Sequence, residues 1–331
     1  MTQSISLQSM PLQNQTYTYH CEIVTPMFLG GANPVHPELR SASIKSRLRF
    51  WWRALYGSSN LKQLIQDEAE IFGSTENRSA FSIHTVNQTV TPTSDPSLKG
   101  GKIFQTSSKG ESCSSSILDY LAFGPVVHNK KTQETQFKRK YLVPGSQFDI
   151  EITIKKPGIK QQLLNSLEAW LKFGGLGAKE RNGFGSVISS KENERFDISS
   201  TIAADALPYA RLSKKCHLYL FPMCDTWQDA LSDIGLAYRK ARLSLEPRHY
   251  FSKRGLLARP IIAKGENIPA FIHKGRRAKP LFLKVNKLPN GKYQGQILVV
   301  PVKVNKQHEY DQVIAHLNRE FDKEAISGGK L

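Results

Sequence analysis

The sequence predicts an α+β fold in two consecutive units, each an antiparallel sheet with helices over one face. Three observations carry this. Stretches of alternating apolar residues are interleaved with stretches of 3.6-residue periodicity, and over residues 16–195 their order is β-α-β-β-α-β with one extra helix. Over residues 211–331 the order β-α-β-β-α recurs, without a final strand. The chain of 331 residues, 39% hydrophobic, is long enough for two cores. The arrangement is ferredoxin-like (RRM-like), which leaves the other face of each sheet free for a ligand or partner.

Residues 1–15 read as a polar tail with neither the basic nor the apolar segment of a secretory signal. Thr16–Thr25 is rich in aromatic and β-branched residues and predicts a strand, stopped by Pro26. A loop with Gly30 and Gly31 follows, where the backbone can turn or approach a ligand. Ser41–Gly57 predicts a helix, with Ser41 or Ser43 as cap and Ile44, Leu48, Trp51 and Leu55 on one face. Leu61–Phe72 is a second helix ended by Gly73, and Ala80–Val86 a short strand. Residues 87–140 form an insertion. Within it Asn87–Ser116 is poor in apolar residues and reads as a long loop or arm. Ile117–Phe123 returns to the core, and Asn129–Lys140 is an exposed basic connection. Phe148, Ile150, Ile152 and Ile154 alternate as a half-buried strand. Leu163, Leu164, Leu167, Trp170 and Leu171 mark the helix Ile159–Phe173, and Phe184–Ser189 closes the first unit. In the second unit Lys215–Phe221 is a strand and Thr226–Leu245 a helix. Glu246–Lys279 is irregular and basic. Leu281–Lys287 and Tyr293–Lys303 form a hairpin across Asn290-Gly291, and Gln307–Ala325 a final amphipathic helix.

Lys and Arg total 46 against 28 Asp and Glu, a net charge of +18. Such an excess implies a polyanionic partner, and nucleic acid leads. No apolar run approaches the roughly 18 residues of a membrane span, so no membrane partner is expected. Cys21, Cys113, Cys216 and Cys224 fit neither a disulfide framework nor a zinc site. Free thiols point to an intracellular, cytoplasmic protein.

Two segments carry the binding expectation. Phe173–Val187 places five glycines (Gly174, Gly175, Gly177, Gly183 and Gly185) and three charged residues in fifteen positions. Successive N–H groups there could form an anion nest, with Lys179 and Arg181 adding charge. It is not a P-loop or a dinucleotide fingerprint, because it runs from helix to strand. In the first helix Lys45, Arg49 and Arg53 recur at i, i+4 and i+8. Arg40 precedes them and Arg47 lies on the opposite flank. These five basic residues have no acid among them, so the ridge lacks the usual i, i+4 pairing and reads as phosphate-facing. Trp52 sits on its border, as a core residue or a platform for a base; Phe184 is a weaker stacking candidate.

Thr25–Gly57 (TPMFLGGANPVHPELRSASIKSRLRFWWRALYG) resembles the signature of the Cmr-one subunits of type III-B CRISPR effector complexes, within the RAMP superfamily. The resemblance covers Gly30-Gly31, Glu38-Leu39-Arg40 and Leu48–Leu55. FGGLGAKERNGFGSV is similar to the glycine-rich loop of that superfamily, with Glu180 a departure, and Tyr141–Ile152 is similar to its penultimate strand. It implies two tandem RAMP domains, guide RNA and target RNA as ligands, and other Cmr-complex RAMP subunits as neighbours. It also implies a position near the 3′ part of the guide. RNA contact would come from Gly30, Gly31, Arg40, Lys45, Arg49, Trp52, Arg53, Gly174, Gly175, Gly177, Lys179, Arg181 and Gly183, with Glu180 pointing away.

The nine histidines form no HxH, HExxH or carboxylate-paired pattern. His20 and His217 read as structural, and Asp119, Asp149 and Asp205 are too scattered for metal. No cofactor, metal or catalytic residue is assigned. Two alternatives stay open. One is a metal-independent endoribonuclease using His128 or His249. The other is a structural cap that wraps a neighbour with residues 87–116.

Overall fold

The computed structural model describes residues 15–33, 36–93, 98–108, 111–129, 134–189, 199–261 and 268–331. The N-terminal tail through residue 14 and part of the boundary stretch, residues 190–198, lie outside it, as do the side chains of Cys113 and His128.

Alternation in β1 (Gln15–Ile23) buries Tyr19, Cys21 and Ile23. Helix α1 (Ser41–Tyr56) lays Ile44, Leu48, Trp51, Trp52 and Leu55 against that sheet. Its N-cap is Arg40, which makes no side-chain cap bond. The expected serine cap is absent because Ser41 Oγ instead accepts the Thr85 N–H at 3.1 Å, fixing the helix start to β2 (Phe81–Thr89). Between them, α2 (Leu61–Phe72) is capped by Asn60 and ended by Gly73 at φ +83°.

The described part of the insertion holds more regular structure than its composition suggested. β3 (Ile103–Ser108) and β4 (Glu111–Ser116) pair from Ile103↔Ser116 to Ser108↔Glu111, and β5 (Val126–Asn129) pairs with β6 (Glu134–Phe137). Backbone ladders need no apolar alternation, so serine-rich strands escape a pattern search. Between these hairpins lies α3 (Ile117–Leu121). β7 (Gln147–Ile154), α4 (Lys160–Phe173) and β8 (Val187–Ser189) complete the first sheet, ordered β2-β7-β1-β8 and antiparallel throughout.

The second half runs through β9 (His217–Cys224), α5 (Trp227–Leu243), α6 (Ser252–Leu257), α7 (Ala270–His273), β10 (Leu281–Lys287), β11 (Tyr293–Val299), α8 (Gln307–Asp322) and β12 (Ser327–Lys330). Its sheet order, β10-β11-β9-β12, repeats the first sheet by position. A final strand is therefore present where the sequence suggested none. β12 reads Ser-Gly-Gly-Lys, with no apolar signal, and is held by pairing Ser327↔Leu220 through Lys330↔His217.

The two halves share their cores. Phe282, Leu298 and Val300 of the second half join the core of α1 and α4. Val24, Phe28, Phe184 and the α3 residues Ile117, Leu118 and Leu121 join the core of α5. The second sheet thus does not offer a free face at β10: Phe282 and Lys284 are buried, and Lys284 Nζ donates to Gly174 O at 2.9 Å and Val187 O at 2.7 Å.

Candidate nucleic-acid interface

The loop after β1 and the glycine loop lock together. The Ala178 N–H donates to Phe28 O at 2.8 Å and the Gly185 N–H to Pro26 O at 2.9 Å. Thr25 Oγ1 donates to Gly183 O at 2.7 Å and accepts the Ser186 N–H at 2.9 Å. This close approach requires Gly177, at φ +95°, where an added Cβ would stand 2.7 Å from Phe28 O. Many loop N–H groups are consumed inside the protein, since those of Leu176, Asn182 and Gly183 also bond to loop carbonyls. The loop is a buried interlock more than an open anion nest.

Its outer edge, the Gly30 loop and the start of α1 enclose an open groove of about 500 Å³ lined by Arg40, Ser43, Ser46, Arg47, Gly177 and Glu180. The first turn of α1 carries no acid and no side-chain cap, so its positive end opens toward this groove. Arg40 is exposed and donates to Gly30 O at 3.3 Å. Gly30 pairs with Pro37, and the Glu38 side chain packs where a Cβ on Gly31 would lie. On the far wall Arg47 forms a hydrogen-bonded ion pair with Glu180. Burial raises the Glu180 carboxyl pKa, against the lowering by Arg47 and Arg181. Glu180 therefore lines the groove and does not point away. Arg47, outside the expected contact set, is the cation that faces it, and its place in the same basic run was the available signal.

The expected ridge looks elsewhere. Arg49 Nε and Arg53 Nη1 share Glu68 of α2 at 3.2 and 2.9 Å, and the Lys45 ammonium lies 5.2 Å from the centre of the Phe81 ring. Burial and Arg49 lower the Lys45 pKa. The compensating acid comes from another helix, which a search within one helix cannot find. Trp52 is in the core, 2% exposed, with Nε1 donating to Gln162 Oε1 at 2.8 Å and Phe72 edge-on to it. No ring face is left for a base, and Phe184 is fully buried too.

Gly174, Gly175 and Gly183 are also buried. A Cβ on Gly174 would meet Trp51 Nε1 at 2.6 Å, one on Gly175 Phe184 O at 3.0 Å, and one on Gly183 Leu231 Cδ1 at 2.4 Å. These glycines permit packing and do not present backbone to a ligand. Arg181 turns inward, donating to Lys279 O at 2.5 Å with its guanidinium 4.4 Å from the Phe282 ring centre. Lys179, at φ +64°, stays partly exposed beside Gly124.

His20 Nδ1 pairs with Asp149 Oδ1 at 2.6 Å, and His217 stacks on Tyr219. Among the described residues no group of three His, Cys, Asp or Glu side chains is placed to hold a metal, and no helix is long and apolar enough to cross a membrane.

The RAMP superfamily model matches residues 20–188. The CRISPR system Cmr subunit Cmr1-2 of Pyrococcus furiosus is 31% identical over 180 residues, 51% of this chain and 92% of that protein. Subunit Cmr1-1 of the same organism is 29% identical over 186 residues, 55% of this chain and 47% of that protein. In fold, the chain is similar to the apo crystal structure of Cmr1 from P. furiosus, with TM-score 0.55, 21% identity, and 92% and 96% of the two chains covered. It is also similar to a chain of the Type III-B Cmr-beta complex bound to cognate target RNA, with TM-score 0.52, 11% identity, and 93% and 99% covered. The matched span holds both interlocked loops, and the chain belongs to the RAMP superfamily, among the Cmr1 subunits.

Proposed function

We propose that this protein is a non-catalytic RNA-binding subunit of a type III-B CRISPR effector complex, holding guide or target RNA by its backbone near the 3′ end of the guide. Its working parts are two tandem ferredoxin-like RAMP domains, residues 16–195 and 211–331. The likeness to Cmr1 proteins and the net charge of +18 support this reading. The observation that carries it is the groove: an uncapped helix start flanked by Arg40 and Arg47 beside the Gly30 loop and Gly177. A phosphate there meets the positive end of α1 and two guanidiniums. Sequence is read by guide–target pairing, so the protein needs no contacts to base edges. The ridge Lys45, Arg49 and Arg53 contributes at longer range, because Glu68 already holds two of its three cations.

The test is the salt dependence of single-stranded RNA affinity. Arg40→Ala should flatten the log–log slope by about 0.7, one phosphate contact, and adding Arg47→Ala should flatten it by less than about a further 0.7, because Glu180 already holds that guanidinium. Alanine at Lys45, Arg49 and Arg53 should change it less. Equal slopes for wild type and the Arg40/Arg47 variant would remove the groove from the binding surface.

Glu180 sets the affinity of the same groove. RNA must compete with its carboxylate for Arg47. Glu180→Gln should therefore tighten RNA binding by about fivefold, the scale of the ~1 kcal/mol of a partly exposed ion pair. Weaker binding would show that Glu180 positions Arg47 and does not compete for it.

A further inference from the structure

A second basic cluster lies on the other side of the glycine loop, where α3, α5 and the start of β10 meet. Its centre is Lys279, 9% exposed, whose Nζ makes no hydrogen bond. That nitrogen rests 4.1 Å from the centre of the buried Tyr238 ring. Burial, with repulsion from Arg181, Arg242 and Lys179, holds its pKa well below the ordinary lysine range. Arg181 is held to the Lys279 carbonyl, and Arg242 Nη1 donates to Tyr120 Oη at 3.3 Å. The Lys179 ammonium lies against Gly124, in the turn after α3. No acid among the described residues pairs with Lys179, Lys279 or Arg242, and the one acid of the loop, Glu180, is taken by Arg47. The turn at Phe123 and Gly124 is exposed, so the cluster sits just under the surface.

Buried cations without a partner are costly, and proteins pair or neutralise them. A tyrosine ring offsets part of this cost but supplies no acceptor for the ammonium hydrogens. Burial and the neighbouring cations disfavour a proton on this unbonded donor, and an oxyanion would bring the acceptor oxygens and the negative charge that it lacks. A phosphate group supplies both.

We infer that Lys279, Lys179 and Arg242 form a phosphate-binding site at the junction of the two halves, distinct from the groove at α1. The ligand chemistry is a phosphate oxyanion, either a phosphodiester of RNA or free inorganic phosphate. The site stands independently of the RNA reading, because free phosphate would fill it equally well.

The test uses the purified full chain. Inorganic phosphate is titrated at constant ionic strength against chloride, and Tm is followed. At ten times its dissociation constant, phosphate should raise the wild-type Tm by roughly 2–4 °C. In Lys279→Met the response should vanish, and the variant should melt higher than wild type without phosphate, since the unpaired donor is gone. Lys179→Ala, at a partly exposed position, should fold and weaken the response several-fold. The same variants are then titrated with a single-stranded RNA. If RNA is the source, Lys279→Met lowers RNA affinity; if free phosphate is, RNA affinity is unchanged while the phosphate response is lost. Wild type and Lys279→Met responding identically to both phosphate and RNA would overturn the site, leaving Lys279 as a neutral amine on a tyrosine.

Discussion

Gly185→Ala should cost at least ~3 kcal/mol and separate the glycine loop from the rest of the protein. Gly185 sits at φ +64°, and an added Cβ would stand 1.9 Å from Leu176 O, with the Leu176 carbonyl carbon at 2.9 Å and its nitrogen at 3.2 Å. All three are backbone atoms, so no rotamer change relieves the overlap. Two hydrogen bonds anchor the residue on either side: its N–H donates to Pro26 O at 2.9 Å and its carbonyl accepts the Leu176 N–H at 2.8 Å. Moving it breaks the seam with the loop after β1, hence the wall of the groove. Gly145→Ala separates the causes. Its φ is +85° but its Cβ meets nothing within 4 Å, so it should lose only the ~1–2 kcal/mol of the left-handed conformation. Denaturant unfolding of both variants checks this; equal losses would show that conformation alone, and not the close approach, demands Gly185.

Lys284→Met should remove a rise of stability with pH. The Lys284 ammonium is fully buried between the halves, and burial lowers its pKa to about 7, opposed by Cys21. In the unfolded chain it titrates at its ordinary value of 10.5. Between these values the unfolded state holds a proton that the folded state lacks, so stability increases with pH across the window and is lost as pH falls to about 7. From pH 7 to 8.5 one such group contributes about 2 kcal/mol of gain. Lys279 shifts in the same direction, so the variant should keep part of the slope. Buried thiols such as Cys216, whose pKa is raised, oppose the trend at higher pH, so the comparison belongs below pH 8.5. Unfolding free energies of wild type and Lys284→Met at pH 7 and 8.5 decide it. Identical slopes would mean that Lys284 is protonated in the fold.

Local periodicity made much of this fold readable. Leu163 through Leu171 mark α4 at helical spacing, Phe148 through Ile154 mark β7 at strand spacing, and Asn290-Gly291 gives the β10–β11 turn, with Gly291 at φ +79°. What escaped was held by partners distant in sequence or by backbone alone. β12 has no apolar side chain to show, and the β3–β4 hairpin is polar along most of its length. The ridge on α1 appeared unpaired because Glu68 belongs to α2. Lys279 ends a stretch that reads only as irregular and basic, and Lys284 lies in a predicted hairpin strand, yet the packing of the second sheet on the first half buries both. In the candidate site the sequence located the two loops and Arg40. It could not show which glycines face outward, because Gly174, Gly175 and Gly177 differ in exposure but not in composition.

RNA held by this protein should lie in the groove between the start of α1 and the glycine loop. Protein–RNA crosslinks mapped by mass spectrometry on the assembled effector complex test it most directly. The expected crosslinked peptides contain Gly30–Arg47 and Leu176–Glu180. Crosslinks confined to α2 and β2, with none at the groove, would contradict it.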